Sequence, residues 1–375
     1  MKKVSVLGAG MVGSAIARDL NYDFDVTSYD INQNNLAKLS KLGVKTVVSD
    51  LKNPENIKEA VKDADYVVNA TPGFMGYNTL KQIILNKKDV IDIAFFPEDS
   101  SELDNLAKEN GVTAIVDIGV APGISNLVLG YHSRKAKLTD FVCYVGGLPL
   151  VREYPFQYKA PFSPIDVIEE YTRPARFVLN NQVVTKPAMT DREYLFFDEI
   201  GTLEAFNSDG LRSIIKTIDV PNMIEKTLRY PGHIEMITNL RDMGFFENRN
   251  INVNGNEINL MEFTSKVLID KWKLTEDDEE FTLMKIILKG NEDGKEVEYT
   301  YDLLDRTDML NGVSSMARTT GYTATAALNM FNNGLFKEKG VFPPENIAIN
   351  HDIYNFIFKY LERRGVNYKM EVKYI

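Results

Sequence analysis

The sequence is poor in residues that form covalent or metal crosslinks. Its 375 residues include one cysteine, Cys143, and three histidines. A single cysteine excludes an internal disulfide and is typical of a reducing compartment. Three dispersed histidines and one cysteine do not form a typical zinc site, so the sequence predicts no bound metal.

Long apolar runs and an excess of positive charge are also missing. No uninterrupted apolar segment approaches the roughly 18 residues of a membrane-spanning helix, and the N-terminus has the pattern of a strand, not of a signal peptide. The net charge is −10, from 43 basic and 53 acidic residues, whereas nucleic-acid binding needs a basic face. We therefore expect a cytoplasmic protein that binds neither membranes nor nucleic acids.

What the chain does contain is a glycine-rich turn between a short apolar strand and a helical run. The turn comprises Gly8, Gly10, Met11, Val12 and Gly13. In a dinucleotide-binding turn, Gly8 permits the tight bend, Gly10 lets a pyrophosphate approach the backbone, and Gly13 lets helix and strand pack closely. The phosphates would bind free N–H groups at the helix N-terminus. A glycine turn without a ligand is the alternative interpretation.

An acidic residue follows at the place where a dinucleotide site requires one. A second apolar strand ends at Asp30, about 20 residues after Gly10, where a carboxylate binds the ribose hydroxyls. Residues 31–33 contain no Lys or Arg that could hold a 2′-phosphate, and the carboxylate would repel that phosphate. The sequence therefore predicts NAD as the cofactor, in preference to NADP.

The order of predicted elements indicates an α/β protein with two domains. Six short strands with intervening helices predict a doubly wound parallel sheet, a Rossmann fold with strand order 3-2-1-4-5-6. Past about residue 129, hairpins and helices predict an α+β substrate domain with a mixed or antiparallel sheet. A helix over 314–332, rich in small residues, is expected to pack back on the Rossmann domain. We predict a discontinuous Rossmann domain, 1–123 and 313–375, and a substrate and dimerisation domain, 124–312.

Ligands of such sheets lie beyond the carboxyl ends of the strands, so the residues after each strand are candidate site residues. Ala70, Thr71 and Pro72 follow the fourth strand and are expected beside the nicotinamide. Gly119 and Gly123 follow the sixth strand, and the next helix could present N–H groups to an anion or a carboxamide. The alternative is ordinary turn chemistry, in which Pro, Gly and Asp are common.

Several strings in order along nearly the whole chain resemble the saccharopine dehydrogenase-like family, most closely its lysine 6-dehydrogenase members. They occupy residues 7–10, 117–123, 144–149, 170–175, 203–206, 227–233, 316–321 and 340–345. The resemblance implies a Rossmann domain, a substrate domain with a mixed sheet, NAD-linked chemistry on an amino-acid amine, and a homodimer.

The resemblance leaves the substrate open. Lysine 6-dehydrogenases oxidise the ε-amine of lysine to 2-aminoadipate 6-semialdehyde, which closes to Δ1-piperideine-6-carboxylate, and release ammonia. Saccharopine-forming relatives reduce an imine between that semialdehyde and glutamate, and carboxynorspermidine enzymes reduce a polyamine imine. Because these share a fold, the fold does not choose among them. A dinucleotide-binding regulator without turnover is a further hypothesis from another class.

The implied chemistry needs a group that accepts the proton of the substrate ammonium. The candidates are Asp92, Glu98 and Asp117 at strand ends and His233 at a helix start. Histidine has a suitable pKa without help, whereas a carboxylate needs burial to raise its own. A carboxylate could equally hold the ammonium, and His233 could be only a capping or surface residue.

An amino-acid substrate also brings an α-carboxylate, which arginine binds best through a bidentate fork. The candidates are Arg173, Arg212 and Arg229, each of which could instead form a surface ion pair. Arg229, with Arg212 as its helper, is the predicted anchor because glycine turns adjoin both. The remaining predicted substrate-binding residues are Phe95, Tyr171 and Thr227.

Overall fold

The structure is a computed structural model that describes residues 1–161, 164–275, 277–348 and 350–375. Its first part alternates short strands with helices. Asparagine residues cap the N-termini of two of these helices. The side chains of Asn32 and Asn53 accept hydrogen bonds from backbone N–H groups in the first turn. The elements are Lys3–Leu7 (β1), Met11–Leu20 (α1), Asp25–Asp30 (β2), Gln33–Lys41 (α2), Lys45–Val48 (β3), Pro54–Val61 (α3), Tyr66–Asn69 (β4), Gly73–Leu85 (α4), Asp89–Asp92 (β5), Asp104–Glu109 (α5), Thr113–Ile115 (β6) and Ile124–His132 (α6).

The middle of the chain consists mainly of strands. Its elements are Lys137–Pro149 (β7), Pro164–Thr172 (α7), Ala175–Leu179 (β8), Gln182–Lys186 (β9), Glu193–Phe197 (β10), Gly201–Asn207 (β11), Ile214–Thr217 (α8), Asn222–Arg229 (β12), His233–Asp242 (α9), Asn250–Val253 (β13), Asn256–Asn259 (β14), Leu260–Trp272 (α10), Glu280–Glu292 (β15) and Lys295–Arg306 (β16). The C-terminal part adds Ser315–Asn332 (α11), Gly340–Phe342 (β17), Pro344–Ile347 (α12), His351–Glu362 (α13) and Lys369–Tyr374 (β18).

The first six strands form a parallel sheet in the order β6-β5-β4-β1-β2-β3, and β17 extends it beside β6. This confirms the predicted Rossmann fold and its strand order. Buried side chains cover both faces of the sheet: Val4 and Val6 belong to one apolar cluster, and Leu7 and Val67 belong to another. Burial on both faces explains why the central strands have continuous apolar runs.

The second large sheet is mixed, as predicted. Its main path is β10-β11-β12-β7-β15-β16-β18, with β8 and β9 attached beside β12. Strands β12 and β7 run parallel, and the other pairs are antiparallel. In β12, Glu225, Thr227 and Arg229 all line the same cavity, because alternate residues of a strand share a face.

The C-terminal part contributes to both sheets. Helix α11 packs on α1, and a Cβ added to Gly321 would lie 3.3 Å from Ile16 Cγ1. Strand β17 pairs with β6, whereas β18 pairs with β16 of the mixed sheet. The assignment of the whole segment 313–375 to the Rossmann domain therefore needs a correction at β18, which covers the free edge of β16. We propose the remaining domain division as predicted.

Within the described ranges, no helix combines the length and the apolar character needed to cross a bilayer.

Candidate active site

A cavity of about 510 Å³ lies between the glycine turn and the mixed sheet. The nucleotide side of its wall comes from α1 and from the loops after β1, β4, β5 and β6. The opposite side comes from α7, β7, β12 and the loop after β11. The predicted site residues that line it are Gly8, Gly10, Met11, Val12, Gly13, Asp30, Ala70, Thr71, Pro72, Phe95, Asp117, Gly119, Arg173, Thr227 and Arg229.

The glycine turn is shaped for a ligand that approaches the backbone. A Cβ on Gly8 would lie 2.3 Å from the carbonyl oxygen of Ala70, and one on Gly13 would lie 2.2 Å from that of Gly8. These two positions therefore require glycine for packing. In contrast, a Cβ on Gly10 would meet no protein atom within 4 Å. The space beside Gly10 is open to the cavity, which is what a bound pyrophosphate needs.

Asp30 is fixed at the end of β2 beside this turn. Its carboxylate accepts a 2.6 Å hydrogen bond from the Ala9 N–H and a 2.7 Å bond from the Asn32 N–H. Asn35 also lines the cavity nearby, and residues 31–35 contain no basic side chain. The residues present fit the ribose hydroxyls of a dinucleotide and offer no cation to a 2′-phosphate.

Asp92 is buried behind the cavity wall and does not line it. Its carboxylate accepts hydrogen bonds from Asn69 Nδ2 at 2.6 Å and from the Ala94 N–H at 2.7 Å. Burial raises its pKa well above the ordinary value, against these two bonds. Asn69 also accepts a 2.7 Å hydrogen bond from the Thr71 hydroxyl. Asp92 is thus placed to hold the loop after β4, and it lies away from the cavity in which the predicted base is expected.

Two other predicted residues at strand ends lie off the cavity. Gly123 forms the bend before α6 with φ +144°, and a Cβ there would lie 1.8 Å from the Gly119 carbonyl oxygen. Gly119 lines the cavity and Gly123 does not. Glu98 is exposed on the loop after β5 and is likewise absent from the wall.

The structure pairs Asp117 with Arg212, which were predicted as a base and as a substrate anchor. The Arg212 guanidinium donates to both Asp117 oxygens, at 3.2 and 3.3 Å, and to the Phe96 carbonyl oxygen at 2.7 Å. Both residues have left-handed backbone angles, φ +53° and +55°, which cost non-glycine residues about 1 kcal/mol or more. Arg212 does not line the cavity, so its role is to hold Asp117.

Arg229 lines the cavity but is already bound to protein groups. It is 2% exposed and donates to Tyr171 Oη at 2.9 Å, to the Leu228 carbonyl oxygen at 2.9 Å and to Glu170 Oε2 at 2.8 Å. Its guanidinium also lies 4.4 Å from the centre of the Tyr158 ring. These contacts hold Glu170 and Tyr171 in place, and the anchoring of substrate by Arg229 stays a prediction.

His233 lies behind Tyr171 and does not line the cavity. Its Nδ1–H donates to the Phe156 carbonyl oxygen at 2.8 Å, and its Nε2 accepts from Tyr171 Oη at 2.9 Å. Burial and the charge of Arg229 lower its pKa to about 3. The imidazole is therefore neutral, with both nitrogens bonded to protein groups, and it lies away from the cavity in which a base for the substrate amine is expected. Tyr171 is likewise buried off the cavity wall.

Arg173 is the predicted anchor that faces the cavity with the fewest competing bonds. Its side chain is 19% exposed and pairs with Glu169 in the last turn of α7, just before Arg173. Its guanidinium lies 5.2 Å from the centre of the Phe95 ring. Arg173 and Glu169 also line a second cavity of about 690 Å³ between α7 and α10. They therefore separate the two spaces.

Several acidic residues of the wall were not predicted from the sequence. They are Asp166, Glu169, Glu170, Asp209 and Glu225. Glu225 stands two positions before Thr227 in β12, so strand alternation from a residue already predicted could have indicated it. Asp209 pairs with Arg176 at 2.8 Å. The described residues contain no group of metal-binding side chains. The acids themselves give this side of the cavity carboxyl groups that can interact with a cation.

Comparison with known proteins identifies the family. The sequence matches the family models for the saccharopine dehydrogenase NADP binding domain over residues 4–115 and for the saccharopine dehydrogenase C-terminal domain over residues 119–366. The chain belongs to the saccharopine dehydrogenase family. Members of this family are oxidoreductases that act on amine or imine groups of small amino-acid substrates, with a nicotinamide dinucleotide as cofactor.

Individual relatives of the family are distant. Saccharopine dehydrogenase [NADP(+), L-glutamate-forming] of Saccharomyces cerevisiae is 24% identical over 94% of this chain and 96% of its own. Carboxyaminopropylagmatine dehydrogenase of Synechocystis is 22% identical over 92% and 93%. The match to bovine alpha-aminoadipic semialdehyde synthase, 25% identical, covers 65% of this chain but 28% of that protein.

A solved structure shows the same fold. Apo saccharopine dehydrogenase (L-Glu forming) from Saccharomyces cerevisiae has a TM-score of 0.80 at 22% identity, with 100% of both chains covered. At this identity the likeness concerns the fold of the family and not the substrate.

Proposed function

We propose that this protein is an NAD-dependent dehydrogenase that oxidises the ε-amine of L-lysine. The products are ammonia, NADH and 2-aminoadipate 6-semialdehyde, which closes to Δ1-piperideine-6-carboxylate. The observation that carries the proposal is the acidic cavity wall formed by α7, β12 and the loop after β11, opposite the glycine turn. A carboxylate-lined space next to a dinucleotide site suits a substrate that enters with a positively charged amine.

NAD is the proposed cofactor, although the matched family model is described as NADP-binding. Bound NAD would accept the hydride from the carbon that carries the amine. Gly10 leaves space for the pyrophosphate, and Asp30 offers a carboxylate to the ribose hydroxyls. The absence of Lys and Arg from residues 31–35 supports the preference over NADP.

Within this proposal the remaining cavity residues position the substrate. Arg173 binds the α-carboxylate, since it faces the cavity and its known partner Glu169 is 40% exposed and well solvated. Phe95, beneath the Arg173 guanidinium, restricts that side chain and covers apolar parts of the substrate. Thr227 donates its hydroxyl to Ser208 at 2.9 Å and so fixes the loop after β11.

The second candidate function is saccharopine-type chemistry, in which an imine of the semialdehyde and glutamate is reduced. The yeast relative supports it, because the match covers nearly the full length of both chains. This function would require two carboxylate-bearing parts of the substrate to fit beside the nucleotide. It differs from lysine oxidation in its need for glutamate.

The experiment is a screen for NAD or NADP reduction with lysine, ornithine, saccharopine and diamines. Lysine oxidation should give the largest kcat/KM with NAD and should release ammonia without glutamate. Saccharopine as the best substrate would replace the proposal with the second function. Tight NADH binding without turnover of any amine would indicate a regulatory dinucleotide-binding protein.

A further inference from the structure

Glu225 is a cavity acid to which no function has yet been assigned. The residue is 5% exposed and lies on the same face of β12 as Thr227 and Arg229. Its carboxyl group lies across Gly210, where an added Cβ would be 1.4 Å from Glu225 Oε1. Among the described residues, no hydrogen-bond donor acts on this carboxyl. Its polar atoms therefore have only the cavity to bind.

Burial and the acidic groups around Glu225 keep it protonated to a higher pH than an ordinary glutamic acid. Glu170 on α7 and Asp209 on the loop after β11 are acidic neighbours, and Arg212 is the opposing cation. The Cys143 thiol faces it from the paired strand β7. Burial, followed by the charges of Glu170 and Asp209, raises the Glu225 pKa to about 8. Such a group can accept and return a proton near neutral pH.

We propose that the Glu225 carboxylate is the catalytic base that takes a proton from the reacting ammonium group of the substrate. This role rests on the proposed amine oxidation. The ammonium loses one proton to Glu225 and becomes a neutral amine. The amine-bearing carbon then gives a hydride to NAD, leaving a substrate iminium. Water converts the iminium to the aldehyde and ammonium, and Glu225 returns its proton to solvent.

The other acids and bases near the cavity are less suited to this step. Asp92 and His233 do not line the cavity, and both are hydrogen-bonded to protein groups. Asp117 lines it but is held in a two-point ion pair with Arg212. Glu225 combines access to the cavity with a carboxyl group that has no competing hydrogen bond. Glu98, the fourth candidate from the sequence, is exposed and does not line the cavity, so geometry favours Glu225 over all four.

The test compares Glu225→Gln with Glu280→Gln. Glu280 is a matched control: it is 1% exposed, its pKa is raised by burial to about 8, and it lies outside the cavity. We expect Glu225→Gln to lower kcat/KM about 100-fold near pH 7. This deficit should shrink towards about pH 10, where much of the lysine ε-amine is already neutral in solution. Glu280→Gln should stay within about threefold of the unmodified protein.

Two further measurements separate a proton-accepting role from a structural one. In the infrared spectrum, the C=O stretches of protonated Glu225 and Glu280 should disappear as pH rises through about 8. Glu225→Gln should lack one of the two components and Glu280→Gln the other. NADH affinity should be unchanged. If the Gln variant does not fold, Gly210→Ala provides the second test, since the new Cβ displaces Glu225 Oε1 and should lower kcat/KM in the same pH-dependent manner.

The outcomes distinguish this role from the proposed function. Amine oxidation by the unmodified protein, with a deficit in Glu225→Gln that is below threefold or the same at every pH, would overturn the catalytic role and leave the function intact. No amine oxidation by the unmodified protein would overturn both. A deficit that shrinks with pH, in Glu225→Gln or in Gly210→Ala, supports the role.

Discussion

At the scale of single residues, the acidic residues of the cavity wall differ in whether an arginine pairs with them. Four acidic residues of the wall face an arginine, in the pairs Asp117–Arg212, Glu169–Arg173, Glu170–Arg229 and Asp209–Arg176. Paired charges in a buried site largely neutralise one another. Glu225 has no such pair, so its carboxyl group is free to exchange a proton with an incoming ammonium group.

Arg173→Ala should lower kcat/KM for lysine about 30-fold. The reason is that loss of a charge-assisted contact costs about 2–5 kcal/mol, and each 1.4 kcal/mol is about tenfold. The measurement compares lysine with a diamine that lacks the α-carboxylate, for which the loss should be much smaller. Equal losses for the two substrates would assign Arg173 a structural role.

Asp30→Ala should lower the ratio of kcat/KM with NAD to that with NADP about tenfold or more. The substitution removes a carboxylate that would bind ribose hydroxyls and repel a 2′-phosphate. Asp25→Ala is the control, because Asp25 begins the same strand and pairs with Lys45 on the surface. An unchanged ratio in Asp30→Ala, or a preference of the unmodified protein for NADP, would contradict the assigned role of Asp30.

At the scale of elements, the packing of α11 on α1 links the C-terminal part of the chain to the glycine turn. Gly321 faces α1, where an added Cβ would lie 3.3 Å from Ile16 Cγ1 and 3.6 Å from Ala15 Cβ. Helix α1 also carries Met11, Val12 and Gly13 of the cavity wall. A displacement of α11 therefore alters the turn that is proposed to bind the dinucleotide.

Gly321→Val should destabilise the protein by about 1–3 kcal/mol, the usual cost of overpacking, and should weaken NADH binding. Gly321→Ala is the graded control. Its single methyl group needs a shift of only a few tenths of an ångström, and alanine improves helix propensity by about 1 kcal/mol. Urea unfolding and NADH titration measure the two effects. A Val variant with unchanged stability and NADH affinity would show that this helix contact does not support the turn.

At the scale of the whole molecule, buried acids make stability depend on pH. Burial raises the pKa of Glu225 and of Glu280 to about 8, from an ordinary value of 4.5. The folded state therefore favours their protonated forms. Their stabilising contribution is fully present below about pH 4.5 and is lost as pH rises through 8.

The free energy of unfolding should fall by several kcal/mol between about pH 5 and pH 8.5, with Glu280 contributing on the order of 3 kcal/mol. Glu280→Gln should reduce this fall, since glutamine does not ionise. Exposed Glu257 supplies the control, as Glu257→Gln should leave the pH dependence unchanged. Urea unfolding at the two pH values measures the free energy of unfolding. An identical fall in Glu280→Gln and Glu257→Gln would contradict the conclusion that burial of Glu280 raises its pKa.

The sequence alone was sufficient to predict the dinucleotide turn, the acid at Asp30 and the order of the parallel strands, whereas its pattern left the second sheet mixed or antiparallel. These features depend on local periodicity and on short spacings that a strand–helix–strand unit imposes. Strand β18 was not predicted, because its place depends on a free edge of β16 rather than on its own pattern.

The bonding partners of the candidate side chains depend on contacts between distant parts of the chain. Arg212 reaches Asp117 across 95 positions of sequence, and Tyr171 reaches His233 across 62. Such partners come from separate elements, so no local pattern reveals that a predicted base or anchor is already bonded. The protonation of Glu225 depends on burial and on the charges of α7 and of the loop after β11. Composition and spacing specify a residue's chemistry, but its neighbours in space decide whether that chemistry is free to act.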